Sequence, residues 1–179
     1  MFHNLSATMI RSPAISRAIR SIGAKNRWLS SETGSFNVTG TLLTESPIRV
    51  GLNAEVVHTF SQEHVNQFAG LCGDNNPLHS DPEFAKTTMF GGTIVHGIFV
   101  SSLFSTLFGR SISGSVYVSQ NLSFKRPVHV GAPVTARMEI INIEDRRLGR
   151  LMTCSTTIHL QDGTLAVAGE AKVLLPASK

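Results

Sequence analysis

Asp74 and His79 flank the short segment Asn75-Asn76-Pro77-Leu78. A carboxylate and an imidazole held together can share one water, one accepting a proton while the other donates. Each such proton transfer contributes roughly 10²–10⁴-fold in rate. Pro77 stiffens the segment between them, because it lacks a backbone N–H and pushes Asn76 into an extended conformation. The preceding helix therefore cannot continue, and the pair is expected on a loop with no helical period to point them apart. Asn75 and Asn76 can hydrogen-bond that loop or a ligand. Downstream, His96-Gly97 begins the most apolar segment of the chain. The first N–H groups of a helix have no intrahelical partner and carry the positive dipole end, so a carbonyl turning into an enolate would be stabilised there. Glycine at 97 leaves room for close approach.

Local chemistry alone leaves plainer readings open. Asp74 also suits a cap, His79 a hydrogen-bonded loop histidine, His96 a structural histidine and Gly97 a packing glycine. A metal held by Asp74, His79 and His96 lacks a further ligand at helpful spacing. Cys72 reads as a small buried hydrophobe rather than a nucleophile, and His58, His64, His129 and His159 as surface histidines.

The elements that must position these groups follow from pattern. Residues 48–60 are strand-like, and Ser61 is a candidate N-cap for a helix reaching about Leu71, with Val65, Phe68 and Leu71 on one face. Ser80-Asp81-Pro82-Glu83 fits a capping box before a short helix over residues 84–86. Residues 96–108 form a helix apolar nearly all round, with small Ser and Thr at its polar positions. Such a helix is buried, and it is too short to span a membrane. Four strand-like runs follow, at 114–125, 132–143, 150–160 and 165–175. Val134, Ala136, Met138 and Ile140 alternate with Thr135, Arg137 and Glu139, the period of a half-buried antiparallel strand. One buried helix with about five long strands means α+β, a sheet wrapped around a helix.

Composition bounds the rest. The chain has 179 residues, 41% hydrophobic and 16% charged, enough for one core without disulfide or metal staples. Two cysteines exclude a disulfide framework. The net charge of +4 sits unevenly: residues 1–31 hold five basic groups and no acid, while the remainder holds eleven basic and all twelve acidic groups. The domain itself therefore carries no electrostatic footprint for nucleic acid. The Arg-rich, Ser-rich, acid-poor segment 1–31 has the composition of a mitochondrial transit peptide, implying import into the matrix. Residues 32–46 read as a linker, and 47–179 as the domain.

The run Phe68-Ala69-Gly70-Leu71-Cys72-Gly73-Asp74-Asn75-Asn76-Pro77-Leu78-His79, with Ala85 beyond it, resembles the signature of the MaoC-like, R-specific (type 2) enoyl-CoA hydratases. Gly92 to Gly97, Ser119 to Val128 and Val167 to Ala171 resemble further blocks of that family in the same order, so the resemblance covers about residues 50–175. It implies a hot-dog fold, a long helix wrapped by a curved antiparallel sheet, as a homodimer. It implies no metal and no redox cofactor, and reversible syn hydration of a trans-2-enoyl thioester to the (R)-3-hydroxyacyl form. Carried onto this sequence, Asp74 and His79 grip the water and the Gly97 N–H is the oxyanion donor, with His96 and Asn76 in support. Lys125 and Arg126 would meet the phosphates of a coenzyme A or phosphopantetheine arm, or else form a solvated turn. With the leader, the resemblance implies dehydration in mitochondrial fatty acid synthesis on acyl-carrier-protein thioesters. Degradation would instead hydrate coenzyme A esters. A hot-dog thioesterase is the rival reading; it needs no Asp…Asn-Pro-x-His segment. A non-enzymatic acyl binder would keep the tunnel and lose Asp74 or His79.

Overall fold

The computed structural model describes residues 36–177. The transit-peptide reading of 1–31 lies outside the described residues. Within the stretch read as linker, Val38–Thr39 forms a two-residue strand, β1, followed by a 3₁₀ turn over Thr41–Leu43. Leu42 anchors that turn in the core, which is why a polar, Gly-containing stretch nonetheless folds.

The chain continues through β2 (Asn53–Thr59) and the helix α1 (Gln62–Cys72). Two short helices follow, α2 (Pro77–Ser80) and α3 (Pro82–Lys86). The apolar segment forms α4 (Gly97–Ser101) and α5 (Leu103–Ser111). Four long strands complete it: β3 (Val116–Phe124), β4 (Pro133–Arg146), β5 (Gly149–Leu160) and β6 (Leu165–Pro176). The six strands make one sheet in the order β1-β2-β4-β5-β6-β3, and every neighbouring pair is antiparallel. The α+β expectation holds, with β1 as an added edge strand.

The period-two reading of β4 also holds. Val134, Ala136, Met138 and Ile140 are all buried, while Thr135, Arg137 and Glu139 face partly outward, where Arg137 pairs with Glu139 at 3.1 Å. Leu103, Phe104, Leu107 and Phe108 meet that inner face in one core with Met152, Ile158 and Val173.

Three expectations for the helices change. The apolar face of α1 is Val65 and Ala69, whereas Leu71 is 86% exposed. At about 100° per residue, Ala69 lies about 40° round the helix from Val65 and Leu71 about 120°. The helix expected at 96–108 is interrupted at Ser102, whose hydroxyl donates to the Phe99 carbonyl at 2.6 Å, while Ser101 Oγ donates to that of Gly97 at 2.9 Å. Such back-bonding bends helices. Ile98 is 62% exposed, so the first turn does not share the burial of α5. Finally, the cap of α3 is Asp81, not Ser80: its Oδ1 accepts from the N–H of Glu83 and of Phe84, both at 3.0 Å.

Ser61 caps α1 as expected, accepting from His64 N–H, and His64 Nδ1 accepts in return from Ser61 N–H at 3.3 Å. Beside it, His58 is no surface histidine. It stacks on Phe36 with ring centroids 4.5 Å apart and meets Phe60 edge-on at 4.7 Å. Burial, and then the neighbouring His64, hold its imidazole below the usual value of 6.5. The unfolded chain therefore takes up a proton that the folded chain resists. Stability is fully present above the ordinary histidine value and is lost as pH falls below it. Urea midpoints at pH 7.5 and 5.5 should fall less in His58→Phe than in the wild type; equal falls would show that His58 contributes nothing.

Candidate active site

Gly73 ends α1 in the left-handed conformation, at φ 79°, which glycine adopts without a Cβ penalty. The chain turns there into Asp74, whose Oδ1 accepts from Asn76 N–H at 3.2 Å. Asn76 is extended, at φ −58° and ψ 126°, as the following proline demands. Its Oδ1 caps α2 by accepting from Leu78 N–H at 3.1 Å. The loop expected to carry His79 is thus a single helical turn starting at Pro77, whose fixed φ and missing N–H suit the first helical position. The Asn76 side-chain oxygen is used in that cap.

His79 is buried, and its orientation is set from a distance. Its Nδ1 lies 2.7 Å from the carbonyl oxygen of Ile94. A carbonyl only accepts, so Nδ1 carries the hydrogen, and in the neutral ring Nε2 presents a lone pair. That nitrogen faces Asp74 Oδ2 at 3.9 Å. Two acceptors at this separation make no direct hydrogen bond. They suit a water that donates one O–H to each: with both contacts near 2.8 Å, the two acceptors subtend about 90° at its oxygen. The oxygen then keeps its lone pairs for an electrophile. The Asp74 side chain is 54% exposed against 11% for His79, so one member of the pair borders solvent and the other the interior.

His96 stacks on His79 with ring centroids 3.7 Å apart. It is itself 3% exposed, and its Nε2 donates to the backbone carbonyl of Asp74 at 3.1 Å. Its Nδ1 is buried without a partner. His96 ties the Asp74 turn to the start of α4, rather than bonding its own helix turn, and it also lines the smaller of the two cavities at the site. Asp74, His79 and His96 each bring a potential metal-ligand atom within 4.8 Å of the others.

His96 is also the residue before α4. The first backbone hydrogen bond of that helix runs from Val100 N–H to the His96 carbonyl, at 3.0 Å. The N–H groups of Gly97, Ile98 and Phe99 precede it, as donors that helix geometry leaves unpaired. The face of Gly97 is covered by Phe124, at the end of β3: a Cβ at 97 would lie 2.8 Å from Phe124 Cε1 and 3.0 Å from Cδ1.

Two cavities meet at these groups. One, of about 450 Å³, is lined mainly by apolar side chains including Phe90, Ile94, Val100, Phe124, Val128 and Val167, with Lys125 and Arg126 among its other lining residues. The other, of about 290 Å³, is bordered by Phe68, Cys72, Asp74 and His96. His79, Gly97 and Ile98 line both. Of the five residues singled out in the sequence, Asp74, His79, His96 and Gly97 are brought together at these cavities, while Asn76 lines neither. Sequence reading did not find Ile94, which acts through its carbonyl, or Phe124, which no local pattern links to Gly97. Cys72, expected to be buried, is exposed; the buried cysteine is Cys154, whose thiol burial pushes up to about 12.

The chain is similar to known proteins in sequence and in fold. Residues 44–161 match the family model of the MaoC like domain. The chain is 44% identical over 136 residues, 75% of its length, to the whole of the (R)-specific enoyl-CoA hydratase of Aeromonas caviae. It is 34% identical over 130 residues to the mitochondrial 3-hydroxyacyl-[acyl-carrier-protein] dehydratase FERN of Solanum lycopersicum, covering 73% of this chain and 79% of that one. In structure it superposes on the (R)-hydratase from A. caviae involved in PHA biosynthesis with a TM-score of 0.70, at 45% identity over 74% of this chain and 100% of that one.

Proposed function

The chain belongs to the MaoC-like family, with its hot-dog fold, and from that premise we propose that it is a hydro-lyase. It adds and removes water reversibly between a trans-2-enoyl thioester and the (R)-3-hydroxyacyl thioester. The observation that carries this reading is the pair of acceptors, Asp74 Oδ2 and His79 Nε2, 3.9 Å apart beside the unpaired N–H groups of α4.

In hydration, the water gripped by the pair bonds through its oxygen to C3 of the substrate. One of its protons passes to the pair, and the π electrons of C2=C3 move onto the thioester carbonyl as an enolate. The Gly97 N–H and the dipole of the helix start stabilise that charge. The enolate then collapses and C2 takes the proton back from the pair, so that the elements of one water have been added. Dehydration runs the same steps in reverse. Neither Asp74 nor His79 needs a net change over the cycle, and no redox step arises.

The apolar cavity accepts the acyl chain, and Lys125 and Arg126 border it where the phosphates of a coenzyme A or phosphopantetheine arm would meet cationic groups. Both carriers find support: the A. caviae relative is a coenzyme A enzyme by name, and the tomato relative uses acyl carrier protein. The Arg-rich leader favours the mitochondrial matrix and a role in fatty acid synthesis there, where dehydration is the net direction. Homodimerisation is favoured by β3, a long sheet edge that exposes Val116, Val118 and Phe124. Among the described residues no helix is long and apolar enough to cross a membrane.

The test uses the chain from Ser30 onward with crotonyl- and trans-2-decenoyl-coenzyme A. Loss of the conjugated-thioester absorbance, an (R)-3-hydroxyacyl product and no released thiol are expected. Thiol release without hydration would move the protein to the thioesterases. The same assay with carrier-protein thioesters compares the two carriers. Mass spectrometry of the N-terminus of protein recovered from mitochondria tests the leader, and an intact Met1 would end that part of the reading.

A further inference from the structure

We propose that Gln62, in the first turn of α1, is a positioning residue that sets the orientation of the His79 imidazole. The inference rests on the reading of His79 as an acid–base group and adds the residue that holds it in place. Gln62 Nε2 donates to the backbone carbonyl of His79 at 2.7 Å. A carbonyl only accepts, so the amide can face it only with its nitrogen, and the flip of the side chain is fixed. Its Oε1 accepts from the Thr93 hydroxyl at 3.1 Å. The second hydrogen of Nε2 is used as well, on Asn66 Oδ1 at 3.0 Å.

Thr93 is the residue before Ile94, and the Ile94 carbonyl is the acceptor for His79 Nδ1–H. Ile94 N–H in turn donates to the carbonyl of Leu78 at 3.2 Å. The segments 78–79 and 93–94 are therefore stitched directly by two bonds, and a third path runs Thr93 to Gln62 to His79. Gln62 spans the pair from outside: it grips the backbone of the imidazole's own residue and, through Thr93, the segment whose carbonyl selects the tautomer. Without it, α2 rests on a single short turn that has little rigidity of its own. The Nε2 lone pair would then swing away from Asp74, and misplacing a reacting group by about 1 Å can cost 10²-fold in rate.

Gln62→Met keeps length and volume and removes every bond of the amide. We expect kcat for enoyl-thioester hydration to fall between about 10- and 100-fold with KM changed less than threefold. Thr93→Val removes the relay from its other end. Because Thr93 acts through Gln62, the double variant should be no slower than Gln62→Met alone; additive losses would overturn the relay. A kcat for Gln62→Met within twofold of the wild type would overturn the proposal outright. The second readout needs no activity: ¹⁵N resonances of the His79 ring should show Nδ1 protonated and Nε2 bare in the wild type, and move toward averaging in Gln62→Met. Unchanged ring resonances would also overturn it. If Gln62→Met fails to fold, Thr93→Val alone carries both readouts. If the wild type hydrates no enoyl thioester, the functional reading fails, while the ring resonances still decide the positioning role.

Discussion

Asp74→Asn and His79→Gln each lower kcat for hydration by between about 10²- and 10⁴-fold while leaving the fold intact. Both replacements keep size and a local bond. An asparagine at 74 retains an oxygen for the N–H of Asn76, and a glutamine at 79 retains an amide hydrogen for the carbonyl of Ile94. What each removes is one of the two acceptors proposed to grip the water. An amide nitrogen at 74 offers a donor where a second acceptor is needed, and glutamine offers no basic nitrogen at pH 7. The double variant should be little slower than either single one, because groups acting on one water fail together. Steady-state rates on crotonyl-coenzyme A, with circular dichroism to verify folding, check the result. Retention of more than about a tenth of the wild-type rate by either variant would remove that residue from the acid–base pair.

The second large effect concerns a backbone group, and it needs two variants to isolate. Gly97→Ala places a Cβ 2.8 Å from the ring of Phe124. Phe124 is 50% exposed in the protomer and its ring is the far end of a flexible side chain, so it can shift at moderate cost. Gly97→Pro makes the same kind of contact and also deletes the N–H. The backbone tolerates proline there, because position 97 opens α4 and His96, at φ −55° and ψ 129°, already has the extended conformation required before proline. The alanine variant therefore measures displacement of Phe124, and the further loss on going to proline measures the donor. That further loss is expected to be on the order of 3 kcal/mol of transition-state stabilisation, or about 10²-fold in kcat. Equal rates in the two variants would show that the enolate is stabilised elsewhere, with Ile98 and Phe99 N–H the remaining donors of that turn.

Much of this site was legible because its parts are local. The break after α1, the extended Asn76 and the cap at Ser61 depend on residues within a few positions of one another, and each formed as expected. Register in β4 was equally legible, since alternation over Val134 to Ile140 leaves one face for the core. The errors arose where a local pattern met a non-local surface. Leu71 and Ile98 looked like core because they are apolar, yet their burial depends on what stands opposite, and each faces outward from its helix. Cys72 and His58 exchanged the environments expected of them for the same reason: one lies beside an open cavity and the other beneath Phe36.

By itself the sequence determined which groups are available and in what order: a carboxylate, a proline-stiffened turn, an imidazole, and a glycine at a helix start. Local sterics and missing N–H groups act along the chain, so they can be read along it. Tertiary structure alone decided how each group is held. His79 takes its tautomer from a carbonyl fifteen residues on, its backbone is held by Gln62 seventeen residues back, and His96 closes onto Asp74 across twenty-two. These bonds form only once the sheet has wrapped the helix and excluded water, because only there does a buried imidazole find no competing partner.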